Sequence, residues 1–193
     1  MNPAVTAVMF LLLTISSALT AGIQPSSAAP RQLPTWAQQD WEYWTHGSGR
    51  WVADNKAYRS ENEPFDTYGM EWEWGLGKKT LRGRLFALKG GEEVRTLWQF
   101  LSYWHPGEER LVVNQWGGDG TFGTGTQRRT DENATESLER FFAPDGGSFR
   151  AGHRTRKLTG EAHVQSYDIA ADDVWEERRA YVWKRVEAPP SAE

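Results

Sequence analysis

The spacing of hydrophobic positions changes near residue 47, from a helical period to a strict alternation. Before this point, Trp36, Trp41 and Trp44 recur at roughly helical spacing, and Thr35 stands where a capping residue would be placed. This pattern predicts a short helix over residues 35–45.

The alternation downstream is clearest in residues 66–75. One face of this segment carries the apolar side chains Tyr68, Met70, Trp72 and Trp74, and the other face carries polar or small residues. Because successive side chains of a strand point to opposite faces, the segment is predicted to be a half-buried β-strand.

Turn-forming residues interrupt the rest of the chain at intervals of about 13 residues. They are Asn62-Glu63-Pro64, Gly75–Gly77, Gly90-Gly91, Pro106-Gly107, Gly117–Gly120, Asp131–Asn133, Pro144–Gly147, Thr159-Gly160 and Ala171–Asp173. Nine such turns predict ten strands, near residues 48–59, 66–75, 79–89, 94–105, 109–117, 121–130, 134–143, 148–157, 161–169 and 174–186. No helix-length segment separates them, so neighbouring strands should pair antiparallel.

An open sheet of ten strands would leave two long unpaired edges, and closing it removes them. The predicted fold class is therefore mainly β: an antiparallel up-and-down barrel of about ten strands with a short N-terminal helix. The helix is then free to plug or flank one mouth. A barrel of this size encloses packed side chains or one small ligand, and no pore.

The first 30 residues contain no Asp, Glu, Lys or Arg, and an apolar run is followed by small residues and a Pro/Ser/Ala tract. This layout predicts a signal peptide at residues 1–21, a flexible linker at 22–34, a barrel domain at 35–187 and a disordered tail at 188–193. The mature chain is expected to begin between Leu19 and Arg31, in a secreted or periplasmic protein with no membrane association. An uncleaved signal anchor is the alternative, because the apolar run is almost long enough to span a bilayer.

The composition removes several classes of function. A net charge of −4 gives no general attraction to nucleic acid, which is therefore not expected as a partner. The absence of cysteine excludes disulfides, thiolate catalysis and Cys-ligated metal centres. No nearby third ligand has the right spacing to join His153 and His163, and Asp168 is only a remote candidate, so neither a metal nor a cofactor is predicted.

A local motif carries a family resemblance. Gly49-Arg50-Trp51 follows the aromatic helix and opens the first strand, which resembles the Gly-x-Trp signature of the calycin superfamily of lipocalins, fatty-acid-binding proteins and nitrobindin-like barrels. The resemblance implies that an arginine near the end of the last strand packs over Trp51, a cation–π contact. Arg185 is the first candidate for this structural role, and Arg178 and Arg179 are lesser ones.

The resemblance does not extend to haem binding. Ala53 stands where the nitrobindin branch has a further glycine, and residues 174–193 contain no histidine. The aromatic-rich layout with regularly spaced glycines is also similar to exported bacterial proteins of uncharacterised function. This similarity implies an exported location and does not indicate any particular activity.

The segment 149–156 places one histidine on an inward face. Alternation groups His153 with Phe149, Ala151 and Thr155, and groups Arg150, Arg154 and Arg156 on the opposite face. The arginines are expected in solvent, paired with carboxylates of neighbouring strands such as Glu136. His153 is then predicted to face the interior, where it could orient a ligand or transfer a proton.

The aromatic content is the strongest anomaly of composition, with 11 Trp, 8 Phe and 6 Tyr. These side chains either fill the barrel and its helix plug, or line a cavity for an apolar, aromatic or sugar-like ligand. The candidate lining residues are Trp72, Trp74, Trp98, Phe100, Trp104 and Trp116, together with His153. Gln99 is predicted on the outward face, and Asn114 and Gln115 are amides that need partners, water or a ligand.

Three functions remain after these exclusions. The leading one is an exported barrel that binds a small apolar or aromatic molecule. The second is a barrel enzyme, such as an isomerase, hydratase or hydrolase, that uses His153 with an amide or Asp168 for proton transfer. The third is a structural barrel with a filled interior and no ligand.

Overall fold

The computed structural model describes residues 32–187. The predicted signal peptide, linker residues 22–31 and the tail at 188–193 lie outside the described residues. The helix α1 (Thr35–Thr45) precedes ten strands. These are β1 (Arg50–Asp54), β2 (Thr67–Trp74), β3 (Thr80–Lys89), β4 (Glu92–His105), β5 (Arg110–Gly117), β6 (Phe122–Asp131), β7 (Ala134–Phe142), β8 (Ser148–Leu158), β9 (Glu161–Ile169) and β10 (Trp175–Arg185).

The strands form a closed barrel in which every strand pairs antiparallel with its sequence neighbours, and β1 closes the ring against β10. The predicted fold class is confirmed. Closure leaves no unpaired edge strand in the described part of the chain, so the sheet offers no template for edge-to-edge association.

The first strand is shorter than predicted, since β1 ends at Asp54 and a short 3-10 turn follows at Lys56–Tyr58. The buried side chain of Asn55 explains the difference. Its Nδ2 donates to the backbone oxygen of Phe65 at 3.1 Å, and its Oδ1 accepts a hydrogen bond from the Tyr181 hydroxyl at 2.8 Å. Both bonds turn the chain out of the sheet and into the loop 55–66.

One end of the barrel is covered by α1 and is called here the helix end. The other end carries no α-helix among the described residues and is called the mouth. Trp41 and Trp44 of α1 are buried, and Trp41 packs against Leu81 and Leu111 of the wall. The helix begins after Pro34, which occupies the N-cap position without a side-chain hydrogen bond, so the prediction that Thr35 caps it is wrong. Burial of the tryptophans therefore holds α1 in place without a side-chain cap.

Trp51 of β1 is fully buried at the helix end and contacts both α1 and β10. Its Nε1 donates to the backbone oxygen of Trp44 at 2.9 Å, and the Arg185 guanidinium carbon lies 4.7 Å from the centre of its ring. Arg185 also donates to the backbone oxygen of Tyr43 at 3.2 Å. These contacts join α1, β1 and β10, and they make the barrel compatible with a calycin-like fold. Arg178 and Arg179 lie towards the mouth instead and pair there with Asp168 and Glu63.

Candidate functional site

The interior of the barrel contains a cavity of about 680 Å³. Asp40 and Trp44 of α1 form its floor, and Glu63, Arg95 and Arg178 lie at its mouth. Aromatic rings from four strands form much of its wall, which is called here the aromatic wall: Trp72, Trp98, Phe100, Phe141 and Phe149. The interior is therefore only partly filled by side chains.

The structure places the predicted lining residues at three locations. Trp72, Trp98, Phe100 and His153 line the cavity. Two others, Trp74 and Trp104, pack at the helix end beside the buried cluster of Trp41, Leu81 and Leu111 and are not among the lining residues.

Trp116 lies on the outer surface, where its side chain is 43% exposed and packs against Phe122. The hypothesis that Trp116 lines the cavity is therefore wrong. Its neighbour Gln115 takes the inward position of β5 and is buried, and alternation then turns Trp116 outward.

Strand β8 has the predicted alternation. Phe149, Ala151, His153 and Thr155 line the cavity. On the outer face, the Arg154 Nε donates to Glu136 Oε2 at 3.0 Å. Gln99 of β4 is exposed, in line with its predicted outward position.

A buried carboxylate that sequence analysis missed lies beside His153. Glu139 of β7 is 2% exposed and belongs to what we call the interior polar cluster: Gln115, Ser137, Glu139 and His153. Its Oε2 accepts a hydrogen bond from Gln115 Nε2 at 2.6 Å, and its Oε1 accepts one from the Ser137 hydroxyl at 3.1 Å. The His153 Nδ1 lies 3.3 Å from Ser137 Oγ and 3.6 Å from Glu139 Oε1.

Two glycines of β6 allow this part of β7 to lie close to its neighbour. A Cβ on Gly125 would come within 2.0 Å of the Leu138 backbone oxygen and 2.7 Å of Glu139 Cγ. A Cβ on Gly123 would come within 2.4 Å of the Phe141 ring. The glycine-rich segment therefore makes room for the interior side chains of β7, and a larger residue at position 125 would displace Glu139.

The floor of the cavity contains a buried ion pair. Lys157 Nζ donates to Asp40 Oδ1 at 2.6 Å, and Gln127 Nε2 donates to Asp40 Oδ2 at 3.1 Å. Burial raises the pKa of Asp40, and the neighbouring Lys157 opposes this rise only in part. The pair links α1 to β8 at the helix end of the barrel.

At the mouth, Glu63 of the loop 55–66 is held by a guanidinium and a phenol. Arg179 Nη2 donates to Glu63 Oε1 at 3.0 Å, and the Tyr68 hydroxyl donates to Oε2 at 3.1 Å. The Arg179 hydrogen bond lowers the pKa of Glu63, while burial and the Glu63 charge raise the pKa of Tyr68 to about 12. Glu63 is therefore ionised and Tyr68 protonated at neutral pH, which keeps this loop attached to the barrel.

No protein-family model matches the sequence, and a search of curated proteins finds no significant match. Within residues 32–187, no group of three or more acidic or histidine side chains is arranged to hold a metal ion. No helix in the same part of the chain is long and apolar enough to cross a membrane.

Proposed function

We propose that this protein binds a small, largely apolar or aromatic molecule inside its barrel. The observation that carries the proposal is the cavity of about 680 Å³, which is walled by aromatic rings and contains the interior polar cluster. Sites for small organic ligands have volumes of about 300–1,000 Å³ and combine an apolar lining with a few polar groups. A barrel with a purely structural role would fill this space with side chains.

The aromatic wall supplies ring faces and edges for such a ligand. Trp98 meets Phe141 edge-to-face with ring centres 5.8 Å apart, and Phe141 stacks on Phe149 at 5.0 Å. Rigid rings that already contact one another lose little conformational entropy when a ligand binds. The wall therefore provides apolar contact area, and the interior polar cluster provides orientation.

Export is part of the proposal. The charge-free leader at residues 1–21 supports transport out of the cytoplasm, and the absence of cysteine is compatible with an oxidising compartment. The barrel would then meet its ligand in the extracellular or periplasmic space.

Changing one ring of the aromatic wall tests the location of binding. Trp98→Ala is expected to weaken binding of naphthylmethanol, a neutral aromatic probe, by about tenfold, because it removes a large contact surface worth at least about 1 kcal/mol. Isothermal titration calorimetry gives the affinity. Arg154→Ala removes a large side chain from the outer face and should bind the probe as wild type does. Equal weakening by both variants would contradict binding in the interior.

A second candidate function is proton-transfer catalysis, favoured by the contact between Glu139 and His153. A carboxylate oxygen 3.6 Å from an imidazole nitrogen can orient the ring as a general base. His153→Gln should then retain binding of naphthylmethanol but lose turnover. Mass spectrometry of a small-molecule extract incubated with each protein checks this. Compounds consumed by wild type alone indicate an enzyme, whereas two identical extracts contradict the catalytic candidate.

A further inference from the structure

We propose that the ligand is an organic amine, with an aromatic or apolar body and a protonated nitrogen that binds the Glu139 carboxylate. This inference rests on the proposed interior binding and adds the chemical class of the ligand. It follows from three features of the cavity: the hydrogen bonding of Glu139, the positions of the protein's own cations and the placement of the aromatic wall.

The Glu139 carboxylate has unused acceptor capacity. Its side chain has no exposure to solvent, and its hydrogen-bond donors are Gln115 Nε2 on one oxygen and the Ser137 hydroxyl on the other. A carboxylate offers about four acceptor sites, so roughly two remain for a ligand. Both protein donors are neutral, and a buried carboxylate needs a cation or further hydrogen bonds to offset its loss of water.

The cations at the two ends of the cavity do not offset the charge of Glu139. In the described part of the chain, no lysine or arginine forms an ion pair with Glu139. Lys157 is held by Asp40 at the floor, while Arg179 and Arg178 pair with Glu63 and Asp168 near the mouth.

The remaining neighbour of Glu139 that can carry a positive charge is His153, whose Nδ1 is 3.6 Å away. A third of the His153 side chain is exposed, and this residue lines the cavity beside Glu139. The cavity therefore reaches the side chain next to Glu139, and a turn of the Glu139 carboxylate towards the cavity would let a ligand ammonium group supply the missing counter-charge together with up to three hydrogen-bond donors.

The aromatic wall can contact the apolar or aromatic body of such an amine. Phe141 lies two residues beyond Glu139 on the same inward face of β7, roughly 7 Å along the strand, and Trp98 contacts its ring. A ligand ring placed against Trp98 and Phe141 would therefore have its nitrogen within reach of Glu139 across one or two carbon atoms. Aromatic faces also attract cations, which adds to the preference for a charged amine.

Three probes of the same shape test the ligand class: naphthylmethylamine, naphthylmethanol and naphthoate. Calorimetry on the full chain should show that wild type binds the amine at least about tenfold more tightly than the alcohol, as expected for a hydrogen bond to a charged group, and that naphthoate binds most weakly. Glu139→Gln should bind amine and alcohol within about twofold of each other. Glu73→Gln makes the same change on an exposed outer carboxylate and should keep the wild-type preference.

The outcomes separate the ligand class from the proposed function. Equal binding of amine and alcohol by wild type, or tighter binding of naphthoate, overturns the amine proposal and leaves interior binding intact. No binding of any of the three probes overturns both. The wild-type comparison is decisive even if Glu139→Gln does not fold, and Glu139→Asp, which keeps the charge but shortens the side chain, should reduce the preference without abolishing it.

Discussion

Replacing Trp51 by alanine is expected to lower the free energy of unfolding by about 3–5 kcal/mol, the usual cost of truncating a large buried aromatic side chain. The substitution removes a fully buried ring that contacts Trp44 at 5.0 Å and Tyr43 at 5.2 Å between ring centres. It also removes the hydrogen bond to the Trp44 backbone and the surface on which Arg185 rests. Urea denaturation followed by circular dichroism measures the loss.

Trp116→Ala is the matched control, since it removes the same side chain from the outer surface. Its expected cost is below about 1 kcal/mol, because the ring is 43% exposed. A loss of similarly small size for Trp51→Ala would contradict the structural role of the Trp51–Arg185 contact and remove the main local support for a calycin-like barrel.

Replacing Asp40 by alanine is expected to cost about 3–5 kcal/mol, because it leaves the Lys157 ammonium group buried without its partner. The side chains of Asp40 and Lys157 are only 2% and 11% exposed, so water cannot readily replace the lost carboxylate. The double variant Asp40→Leu with Lys157→Met should lie within about 1 kcal/mol of wild type or be more stable, since it removes both desolvated charges together.

Thermal and urea unfolding of Asp40→Leu, of Lys157→Met and of the two substitutions combined complete a double-mutant cycle. Lys184→Ala is the control, because it disrupts an exposed pair with Glu161 and should cost less than about 1 kcal/mol. A cost for Asp40→Ala as small as that of the control would mean that Lys157 reaches solvent, and that the ion pair does not hold α1 against the barrel.

Strand positions were largely predictable because each turn has a strong local determinant. Residues 161–169 were predicted as a strand between two turns, and β9 spans Glu161–Ile169. Residues 35–45 were predicted as a helix, and α1 has these bounds. The error in β1 arose from tertiary contacts: Asn55 bonds to Phe65 and Tyr181, which are distant in sequence and invisible to a local pattern.

The inward face of a strand was predictable only where alternation was unambiguous. In β8 the arginines mark one face as solvated, and His153 therefore faces the interior. In β7 both faces mix polar and apolar residues, and Leu138 and Phe142 are apolar yet exposed. The burial of Glu139 depends on its register with Gly125 on the neighbouring strand β6, which no pattern within β7 contains.

The position of a side chain along the barrel axis also could not be predicted from the sequence pattern. Trp74 shares a face with Trp72, and Trp104 shares one with Phe100, but each lies nearer the helix end of its strand, where α1 covers the barrel. Alternation identifies the face of a side chain and does not say whether a helix fills the space opposite it.

A crystal structure of the full chain in complex with naphthylmethylamine would show whether the amine binds inside the barrel and contacts Glu139. We expect density for the probe inside the barrel, with its ring against Trp98 and Phe141 and its nitrogen within about 3 Å of a Glu139 carboxylate oxygen. Density for the probe only on the outer wall, or an interior closed by repacked side chains in crystals that hold the probe, would rule out binding in the cavity.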